Sequence, residues 1–401
     1  MTKKPPLPFT TSGLQQMASS ELRISPKDTM SACQKLYEGG YITYMRTDSI
    51  TYSDEFLEKA EKYITNKYGE KYYKSLNIES EDREKEKEKP KTKLRKVKDK
   101  KKKDAEDEEE TVSAHEAIRP TNIELEEVDK ELGNKEVRIY RLIRRNTLES
   151  CMMPAIYKGV TSTITAPATQ KNGGEACPLY RYSTEQVIFP GWKIVDGYEK
   201  ESPTFTYLQT LKQGTILPYK KIVSKVGLKN SKSHYTEATL VQLLEKHGIG
   251  RPSTFASLVD KIQEREYVLK EDVKGAMVEC IDFTLEGEEL LENKTKREMG
   301  NEKGKMVIQP TGTIVLELLL KHFDKLFQYD YTKQMENDLD LIAKGDMRWY
   351  ELCNQCLREI TDLSSELDKN VSDNKDDVAI KIDKYHTYMI GRYGPVIKWV
   401  S

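Results

Sequence analysis

Apolar residues recur every three or four positions in two early stretches of the chain, and this spacing predicts two helices. The first helix begins near Ser12, and the second follows the Ser25-Pro26 pair and ends at Gly39-Gly40. Before them, the proline-rich residues 1–10 predict an extended lead-in. After them, Ser53 is a suitable N-cap for a third helix.

The stretch between the second and third helices, GGYITYMRTDS at residues 39–49, predicts a short strand. Tyr41 and Tyr44 are three positions apart, so in a strand they face opposite sides, one toward the core and one toward a cleft. Tyr44 and Arg46 are two apart and would share a face. A phenol beside a permanent cation can attack a phosphate whose charge the cation neutralises. Because a free phenol has a pKa of about 10, further groups are needed, and packing in a core is the alternative role for either tyrosine.

The remaining pattern changes from helix to strand and back. The spacing through Val137 and Ile143 predicts a helix that ends near Met153-Pro154. In residues 156 to about 225, stretches of alternating polar and apolar residues are separated by turns, which predicts a β-rich segment. Helices return from Thr236, and the final YHTYMIGRYGPVIKWV is strand-like again. We therefore predict a multidomain α+β protein.

These changes divide the chain into four segments. They are a mostly helical domain at residues 1–154, a β-rich segment at 155–232, a helical domain at 233–370 and the truncated start of a further module at 371–401. Within the first domain, residues 79–110 are nearly all charged and lack the apolar content of a core, so we expect a disordered insert. A basic arm that touches nucleic acid is the alternative interpretation of this insert.

Charge and cysteine usage narrow the classes of protein to which the chain can belong. Its 65 Lys and Arg residues balance 66 Asp and Glu, so a nucleic-acid partner must be met by local basic surfaces rather than by net charge. Six irregularly spaced cysteines without a signal-peptide core predict free thiols in a reducing compartment. No apolar run approaches the roughly 20 residues that span a bilayer. We expect a soluble intracellular protein without a membrane partner, and its compartment stays open.

Cys353 and Cys356 form a lone CxxC pair inside a predicted amphipathic helix. A structural zinc site needs about four ligands, and the sequence has no second pair of this kind. Core or surface thiols are therefore favoured, and we predict no metal ligand in this chain.

Four stretches of the sequence form an ordered set. They are PPLPFTTSGLQQMASSELRISPKDTMSACQKLYEGGYITYMRTDS, SAHEAIRPT, YTEATLVQLLEKHGIGRPSTFASLVDKIQEREYV and YTKQMENDLDLIAKG. Together they closely resemble successive blocks of the type IA DNA topoisomerases, in that family's order. They span residues 5 to about 345, interrupted by the charged insert and the β-rich segment. Four ordered blocks argue strongly against coincidence.

The resemblance implies a role for each matching residue around GGYITYMRTDS. Tyr44 matches the tyrosine that attacks a single-strand phosphodiester, becomes linked to the 5′ phosphate and releases a 3′ hydroxyl. Arg46 matches the arginine beside the scissile phosphate. Asp48 matches an aspartate that positions Arg46 or the nearby backbone, or that caps a turn. In SAHEAIRPT, His115 is either a DNA contact near the cleavage site that influences proton transfer, or a satisfied core histidine.

Further DNA contacts are predicted in SAHEAIRPT and in one other block. Arg119 is either a phosphate contact or one half of a domain-internal ion pair. In HGIGRPSTFASLV, Arg251 and the hydroxyls of Ser253 and Thr254 are predicted to hold a phosphate at the N-terminus of a helix. The resemblance implies that this block contributes to the groove that binds the DNA strand. The alternative is a helix-turn-helix corner with Pro252 in the first helical turn.

For the whole chain, the resemblance implies part of a toroidal topoisomerase core. Residues 1–154 would carry the nucleophile, 155–232 would form part of a β-rich arch, and 233–370 a helical base that holds the single strand. The enzyme would relax negatively supercoiled DNA without ATP, and the sequence has no GxxxxGK[ST] motif. Single-strand binding would be electrostatic and weakened by salt.

The resemblance also predicts a part that the sequence does not contain. The family pattern includes an acidic, Mg²⁺-binding toprim domain ahead of the first block, and nothing before Thr10 can supply it. We therefore expect a fragment, a split subunit that receives this domain from another polypeptide, or a remnant that only binds. The rival function is a non-catalytic single-stranded-DNA-binding or assembly subunit, and the block order disfavours a purely structural protein.

Overall fold

The structure is a computed structural model that describes residues 1–74, 115–165, 179–373, 379–381, 384–391 and 394–399. Residues 79–110, the predicted charged insert, lie outside these ranges. Within the described ranges, no helix is both long enough and apolar enough to cross a membrane.

The chain divides into two compact units. Unit 1 comprises Met1–Gln242, Phe255–Ser257 and Asp272–Lys305, and unit 2 comprises Leu243–Thr254, Leu258–Glu271 and Met306–Ser401. The predicted site residues of unit 1 are Tyr44, Arg46, Asp48, His115 and Arg119, and those of unit 2 are Arg251, Ser253 and Thr254. The four segments predicted from the sequence stay a prediction.

Helices and strands alternate along the chain in long blocks. The described helices are α1 (Thr11–Met17), α2 (Pro26–Glu38), α3 (Asp54–Tyr68), α4 (Asn134–Ser150), α5 (Pro203–Thr210), α6 (Glu237–His247), α7 (Phe255–Glu264), α8 (Pro310–Phe323), α9 (Tyr329–Lys344) and α10 (Trp349–Asp373). The described strands are β1 (Thr2–Lys3), β2 (Ala155–Thr165), β3 (Leu179–Phe189), β4 (Lys221–Ser224), β5 (Val268–Val273), β6 (Ala276–Glu286), β7 (Glu289–Met299), β8 (Glu302–Ile308), β9 (Ala379–Lys381), β10 (His386–Gly391) and β11 (Gly394–Trp399). A π-helical turn, Ala18–Leu22, directly follows α1. The protein is thus a mixed α and β structure.

The local sequence explains where α2 begins and ends. The Ser25 hydroxyl accepts the Asp28 N–H at 3.1 Å, and Pro26 occupies the first turn. Gly39 ends the helix, and Gly40 follows with a φ of 75°, a conformation that glycine adopts without steric cost. These features confirm the predicted second helix and its end.

Helix α3 begins where the sequence predicts, but for a different reason. Ser53 occupies the N-cap position, yet its hydroxyl makes no capping bond within the described residues. Its N–H instead donates to a carboxylate oxygen of Glu116 at 3.2 Å. A side chain distant in sequence therefore fixes the start of α3.

Two hydrophobic cores stabilise the described part of unit 1. The first core joins α1, α2 and α4, and its buried members include Leu14, Leu36, Ile42, Met45, Ile118, Ile139 and Ile143. The second core joins α3 to the end of α4 and the residues after it, and its members include Phe56, Ala60, Ile64, Leu148, Cys151 and Met152. Because Ile42 and Met45 belong to the first core, the chain on both sides of Tyr44 is packed against it.

Antiparallel sheets are present in both units. In unit 1, one sheet has the order β1-β2-β3, in which Thr2 and Lys3 of the predicted extended lead-in form a short edge strand opposite Ile156 and Ala155. A second sheet of unit 1 has the order β4-β6-β7. In unit 2, β9, β10 and β11 form an antiparallel sheet, which confirms the strand-like pattern predicted near the end of the sequence.

Strands β5 to β8 lie within the residues predicted to form a helical domain, and the sequence analysis did not predict them. On β6, Asp282 and Thr284 are buried, whereas Ile281 and Phe283 are 45% and 40% exposed. Arg297 donates to the Asp282 carboxylate at 2.7 Å and thereby compensates for burial of its charge. Because polar side chains occupy the inward face, hydrophobic alternation is a misleading guide to this strand.

Gly191 follows β3 and contacts the residues after α4. Its φ is 52°, and an added Cβ would lie 2.4 Å from the Met153 carbonyl oxygen and 2.5 Å from that of Pro154. We expect Gly191→Ala to lower the free energy of unfolding by about 3 kcal/mol or more, because two backbone groups would have to move. Denaturant-induced unfolding of the variant and the parent chain measures this difference.

Gly197→Ala is the matched control for this substitution. Gly197 has a φ of 92°, but nothing lies within 4 Å of an added Cβ. This variant should therefore lose only the backbone contribution, about 1 kcal/mol. Equal losses of stability in the two variants would contradict the assigned close approach.

Candidate active site

Tyr44 lies in an irregular connector rather than in the predicted strand, so that prediction is wrong. Only an isolated bridge joins Ile42 to Pro120 within the described residues. The Thr43 N–H donates to the Arg119 carbonyl at 2.9 Å, and the Thr121 N–H donates to the Tyr41 carbonyl at 3.0 Å. Residues 117–121 therefore hold one side of the connector through contacts too few to form a regular ladder.

The Thr43 hydroxyl supplies the hydrogen bonds that a regular strand would have made. It donates to the Ala117 carbonyl at 3.0 Å and accepts the Arg119 N–H at 3.0 Å. A hydroxyl can donate once and accept twice, so a single side chain serves two backbone groups here. These bonds fix the residue immediately before Tyr44.

The Thr11 hydroxyl does the same on the other side of Tyr44. It donates to the Met45 carbonyl at 2.7 Å and accepts the Thr47 N–H at 2.8 Å. The Thr11 backbone N–H adds a bond to the Thr47 carbonyl at 2.9 Å, and the Thr11 side chain is fully buried. The first turn of α1 therefore holds the backbone that leads from Tyr44 to Arg46.

Burial alternates along the residues that follow Tyr44. Met45, Thr47 and Ser49 are buried, whereas Arg46 and Asp48 are exposed. Burial therefore still alternates with the two-residue period of a β-strand, although residues 45–49 form no β-ladder. This alternation places Arg46 and Asp48 on the solvent side, next to the half-buried Tyr44.

The two tyrosines do not face opposite environments as the strand prediction required. Tyr41 and Tyr44 are both partly buried and both pack against the first core. The Tyr41 ring lies 6.4 Å from that of Tyr140, centre to centre. The opposite-face prediction is wrong because it assumed a regular strand between these residues.

Tyr44 belongs to a small aromatic group. Its ring centre lies 5.3 Å from that of Tyr37 in an edge-to-face arrangement and 5.7 Å from that of His115 with the rings tilted by 47°. His115 is exposed, so it is not the satisfied core histidine of the alternative interpretation. The structure thus brings two of the predicted catalytic side chains together, and the predicted DNA contact of His115 stays a prediction.

Arg46 is the exposed cation of this group. Within the described residues it has no ion pair or hydrogen bond, and none joins it to Asp48. Its guanidinium can therefore receive an anion without first releasing a carboxylate. The predicted positioning of Arg46 by Asp48 stays a prediction.

Arg119 is engaged inside unit 1. Its guanidinium donates to both carboxylate oxygens of Glu116, at 2.7 and 3.0 Å, and lies 4.2 Å from the centre of the Phe56 ring. Burial alone would raise the pKa of Glu116, but hydrogen bonds from Arg119 and the Ser53 N–H outweigh it and hold that pKa below its usual value. Of the two predicted roles for Arg119, the internal ion pair is the one present in the structure.

In unit 2, the predicted phosphate-binding residues lie before a helix rather than inside its first turn. Helix α7 begins at Phe255, and the Thr254 hydroxyl accepts the Arg251 N–H at 2.8 Å, which forms a turn ahead of the helix. The prediction that Pro252 lies in the first helical turn is therefore wrong. Ser253 and Thr254 are exposed.

The Arg251 side chain also has carboxylate partners within unit 2. It pairs with Asp340 at 2.6 Å and with Glu336 at 3.6 Å, both on α9. A DNA phosphate at Arg251 would share or displace these carboxylates. The DNA contacts predicted for Arg251, Ser253 and Thr254 stay predictions.

The described residues contain no group of three or more His, Cys, Asp or Glu side chains placed to hold an ion. Cys356 instead accepts a hydrogen bond from the Tyr331 hydroxyl at 3.8 Å. The described side chains therefore do not fit a Mg²⁺ site.

Sequence reasoning missed the residues that support the site. Thr11 and Thr43 carry the connector, Glu116 holds Arg119, and Tyr37 packs on Tyr44. The available signal was weak: Thr11 begins α1 and Thr43 directly precedes Tyr44, at positions where a hydroxyl can bond the backbone. Their partners are distant in sequence, so spacing alone could not identify them.

The family model and the two relatives described here are all DNA topoisomerases. A family model described as DNA topoisomerase matches residues 1–279. The prokaryotic-type DNA topoisomerase 1 of Acanthamoeba polyphaga mimivirus is 32% identical over 385 residues, covering 92% of this chain and 42% of the relative. DNA topoisomerase 1 of Haemophilus influenzae is 34% identical over 371 residues, covering 92% of this chain and 35% of the relative.

A solved structure shows the same fold. Full-length topoisomerase I from Thermotoga maritima matches with a TM-score of 0.62 and 24% identity, covering 99% of this chain and 56% of that one. The chain thus spans 42% and 35% of the two curated relatives named above.

The two bonds of the Thr11 hydroxyl lead to a stability prediction. We expect Thr11→Val, which keeps the shape of the side chain, to lower the free energy of unfolding by about 2 kcal/mol or more, because a buried carbonyl and a buried N–H lose a partner. Denaturant-induced unfolding measures the loss. The control is Thr163→Val at an exposed position of β2, for which we expect a change within about 0.5 kcal/mol. A Thr11→Val variant as stable as this control would contradict the role of the hydroxyl.

Proposed function

Because this chain belongs to the type IA DNA topoisomerases, we propose that Tyr44 cleaves one DNA strand and becomes linked to its 5′ phosphate. The observation that carries this proposal is the arrangement of residues 43–47. Bonds from Thr43 and Thr11 fix the backbone on both sides of Tyr44, and alternating burial leaves Arg46 beside it on the solvent side. A nucleophile and a cation held in this way suit attack on a phosphodiester.

The reaction is a transesterification in which the phosphodiester bond is exchanged. The Tyr44 hydroxyl oxygen bonds to phosphorus and gives up its proton, while the bond from phosphorus to the 3′ oxygen breaks and that oxygen takes a proton. The phosphotyrosine retains the bond energy, so attack by the 3′ hydroxyl reseals the strand without ATP. Between cleavage and resealing, passage of another strand relaxes negative supercoils.

Arg46 supplies the electrostatic part of the mechanism. An exposed guanidinium with no carboxylate partner among the described residues can bind the scissile phosphate and stabilise the charge that develops on it. We assign His115 a contact with the DNA strand near Tyr44, where its ring can orient the phenol and influence proton transfer. Asp48 is assigned to hold Arg46 or the nearby backbone once the strand is bound.

Arg119 is assigned a supporting role. Its ion pair with Glu116 positions residues 116–119, and those residues carry the carbonyls to which Thr43 is bonded. A direct phosphate contact from Arg119 would require this ion pair to open or be shared.

In unit 2, we assign binding of the single strand to the turn before α7. The exposed Ser253 hydroxyl suits a phosphate oxygen, and the Thr254 hydroxyl can donate to one by releasing the Arg251 carbonyl, to which it donates at 3.1 Å. Arg251 adds a positive charge where a phosphate can compete with Asp340. Such contacts are directed to the backbone of the strand and weaken as salt rises.

The proposal also includes an acidic toprim domain that is not among the described residues. Relatives extend well beyond the matched region, which leaves room for this domain elsewhere in the whole protein. It would hold Mg²⁺ and supply the acid for the leaving 3′ oxygen. With it, the two units would form part of a toroidal core.

Trapping of the covalent complex tests this function. A single-stranded oligonucleotide labelled at its 3′ end is incubated with the chain, Mg²⁺ and a separately made toprim domain, and is then run on a denaturing gel. We expect a labelled protein band that Tyr44→Phe abolishes, because only the phenolic oxygen is removed. Arg46→Ala should reduce the band roughly a hundredfold.

Tyr41→Phe is the matched control, because Tyr41 lies in the same connector and packs against the same core. It should retain the band. Salt-sensitive oligonucleotide binding without a band in any condition would contradict cleavage and leave a non-catalytic single-strand-binding subunit. A band that persists in Tyr44→Phe would assign the chemistry to another residue.

A further inference from the structure

Gln15 is a buried polar residue that the mechanism above does not use. Its side chain is fully buried on α1, between Leu14 and the half-buried Gln16. Neither its amide nitrogen nor its amide oxygen has a hydrogen-bond partner among the described residues. Buried amides normally have partners, so an amide with both atoms unpaired requires an explanation.

The position of Gln15 on α1 connects it to Tyr44. Residues four apart lie on the same face of a helix, and Gln15 is four residues after Thr11. Helical side chains lean toward the N-terminus, so this spacing directs the Gln15 side chain toward the turn that contains Thr11. The Thr11 hydroxyl and N–H bond the backbone of Met45 and Thr47. Gln15 is therefore one helical turn from the segment that carries the nucleophile.

The unpaired amide does not help the protein alone to fold. Burying a donor and an acceptor without partners is destabilising, whereas an apolar side chain of similar size would fill the same space without this penalty. The presence of glutamine here is explained if its amide finds partners in another state of the protein.

The end of α1 offers a way to reach such a state. The π-helical turn Ala18–Leu22 begins three residues after Gln15, and Arg23 after it has a φ of 59°. A π-helical turn accommodates one extra residue per turn and is frequent at functional sites. A change of hydrogen bonding within it can redirect the Gln15 side chain toward the connector while the Thr11 bonds at the start of α1 stay in place.

We propose that Gln15 is a positioning residue whose amide bonds the Tyr44–Thr47 backbone when that segment engages the phosphates of a single DNA strand. The inference rests on the proposed function. The amide nitrogen would donate to a connector carbonyl, and the amide oxygen would accept a connector N–H. Strand binding would thereby be coupled to the position of Tyr44 and Arg46.

The test compares thermal unfolding without DNA to binding of a fluorescent oligothymidylate at fixed low salt, using the whole 401-residue chain. We expect Gln15→Met to raise the melting temperature by roughly 2–6 °C, because an unpaired amide is removed. The same variant should bind the oligonucleotide about tenfold more weakly, because it lacks the amide bonds that stabilise the DNA-bound state. A purely structural role would move both quantities in the same direction.

Gln16→Met is the matched control and should change neither quantity beyond small surface effects. Gln15→Leu provides a second apolar variant should the methionine variant fail to fold. A lower melting temperature in both Gln15 variants would show that the amide is satisfied in the free protein and would overturn the inference. Unchanged oligonucleotide affinity would overturn it as well. Absence of binding by the parent chain would instead count against the proposed function.

Discussion

The bonds of two threonine hydroxyls, that of the buried Thr11 and that of the half-buried Thr43, are the constraint on which the site depends. Tyr44 lies in a connector that a sheet does not support, so its backbone needs partners from elsewhere. Thr43 and Thr11 supply them on either side and leave Tyr44 between two fixed points. Threonine suits this task because its branched Cβ restricts rotation about χ1, and the hydroxyl therefore stays directed at the backbone.

The arginines of the proposed site differ in what surrounds them, and this difference assigns their roles. A charged hydrogen bond to a phosphate contributes about 1.5–3 kcal/mol. The Arg119 side chain is only 12% exposed, but that of Glu116 is 34% exposed, so opening this partly buried pair costs less than the about 3–5 kcal/mol of a fully buried one. Breaking the Arg119 pair for a phosphate would therefore gain little. Arg46 carries no such penalty, so it is the better candidate for the scissile phosphate.

Local sequence predicted the parts of the fold that local interactions determine. Helix α2, with its serine cap and closing glycines, is one example, and the two-residue period through Arg46 and Asp48 is another. The prediction of a strand at Tyr44 failed because a ladder depends on a partner distant in the chain. The strands near Asp282 were missed because their inward face is polar and their outward face carries Ile281 and Phe283.

The candidate site was only partly accessible to sequence reasoning. Tyr44 and Arg46 could be selected because their residue types and spacing suggest phosphoryl transfer. Thr11, Thr43 and Glu116 could not be selected, since their importance comes from carbonyls, N–H groups and a guanidinium brought close by folding. The turn at Thr254 was likewise set by a hydroxyl that bonds the backbone of Arg251, which delays the start of α7.

Mass spectrometry of the trapped complex tests most directly whether Tyr44 is the nucleophile. Trypsin releases residues 36–46 as one peptide, which contains Tyr37, Tyr41 and Tyr44. After nuclease digestion of the attached strand, fragmentation of this peptide locates the residual nucleotide. We predict a 5′-linked nucleotide on Tyr44 alone. A nucleotide on Tyr37 or Tyr41, or on a peptide from another part of the chain, would contradict the assignment.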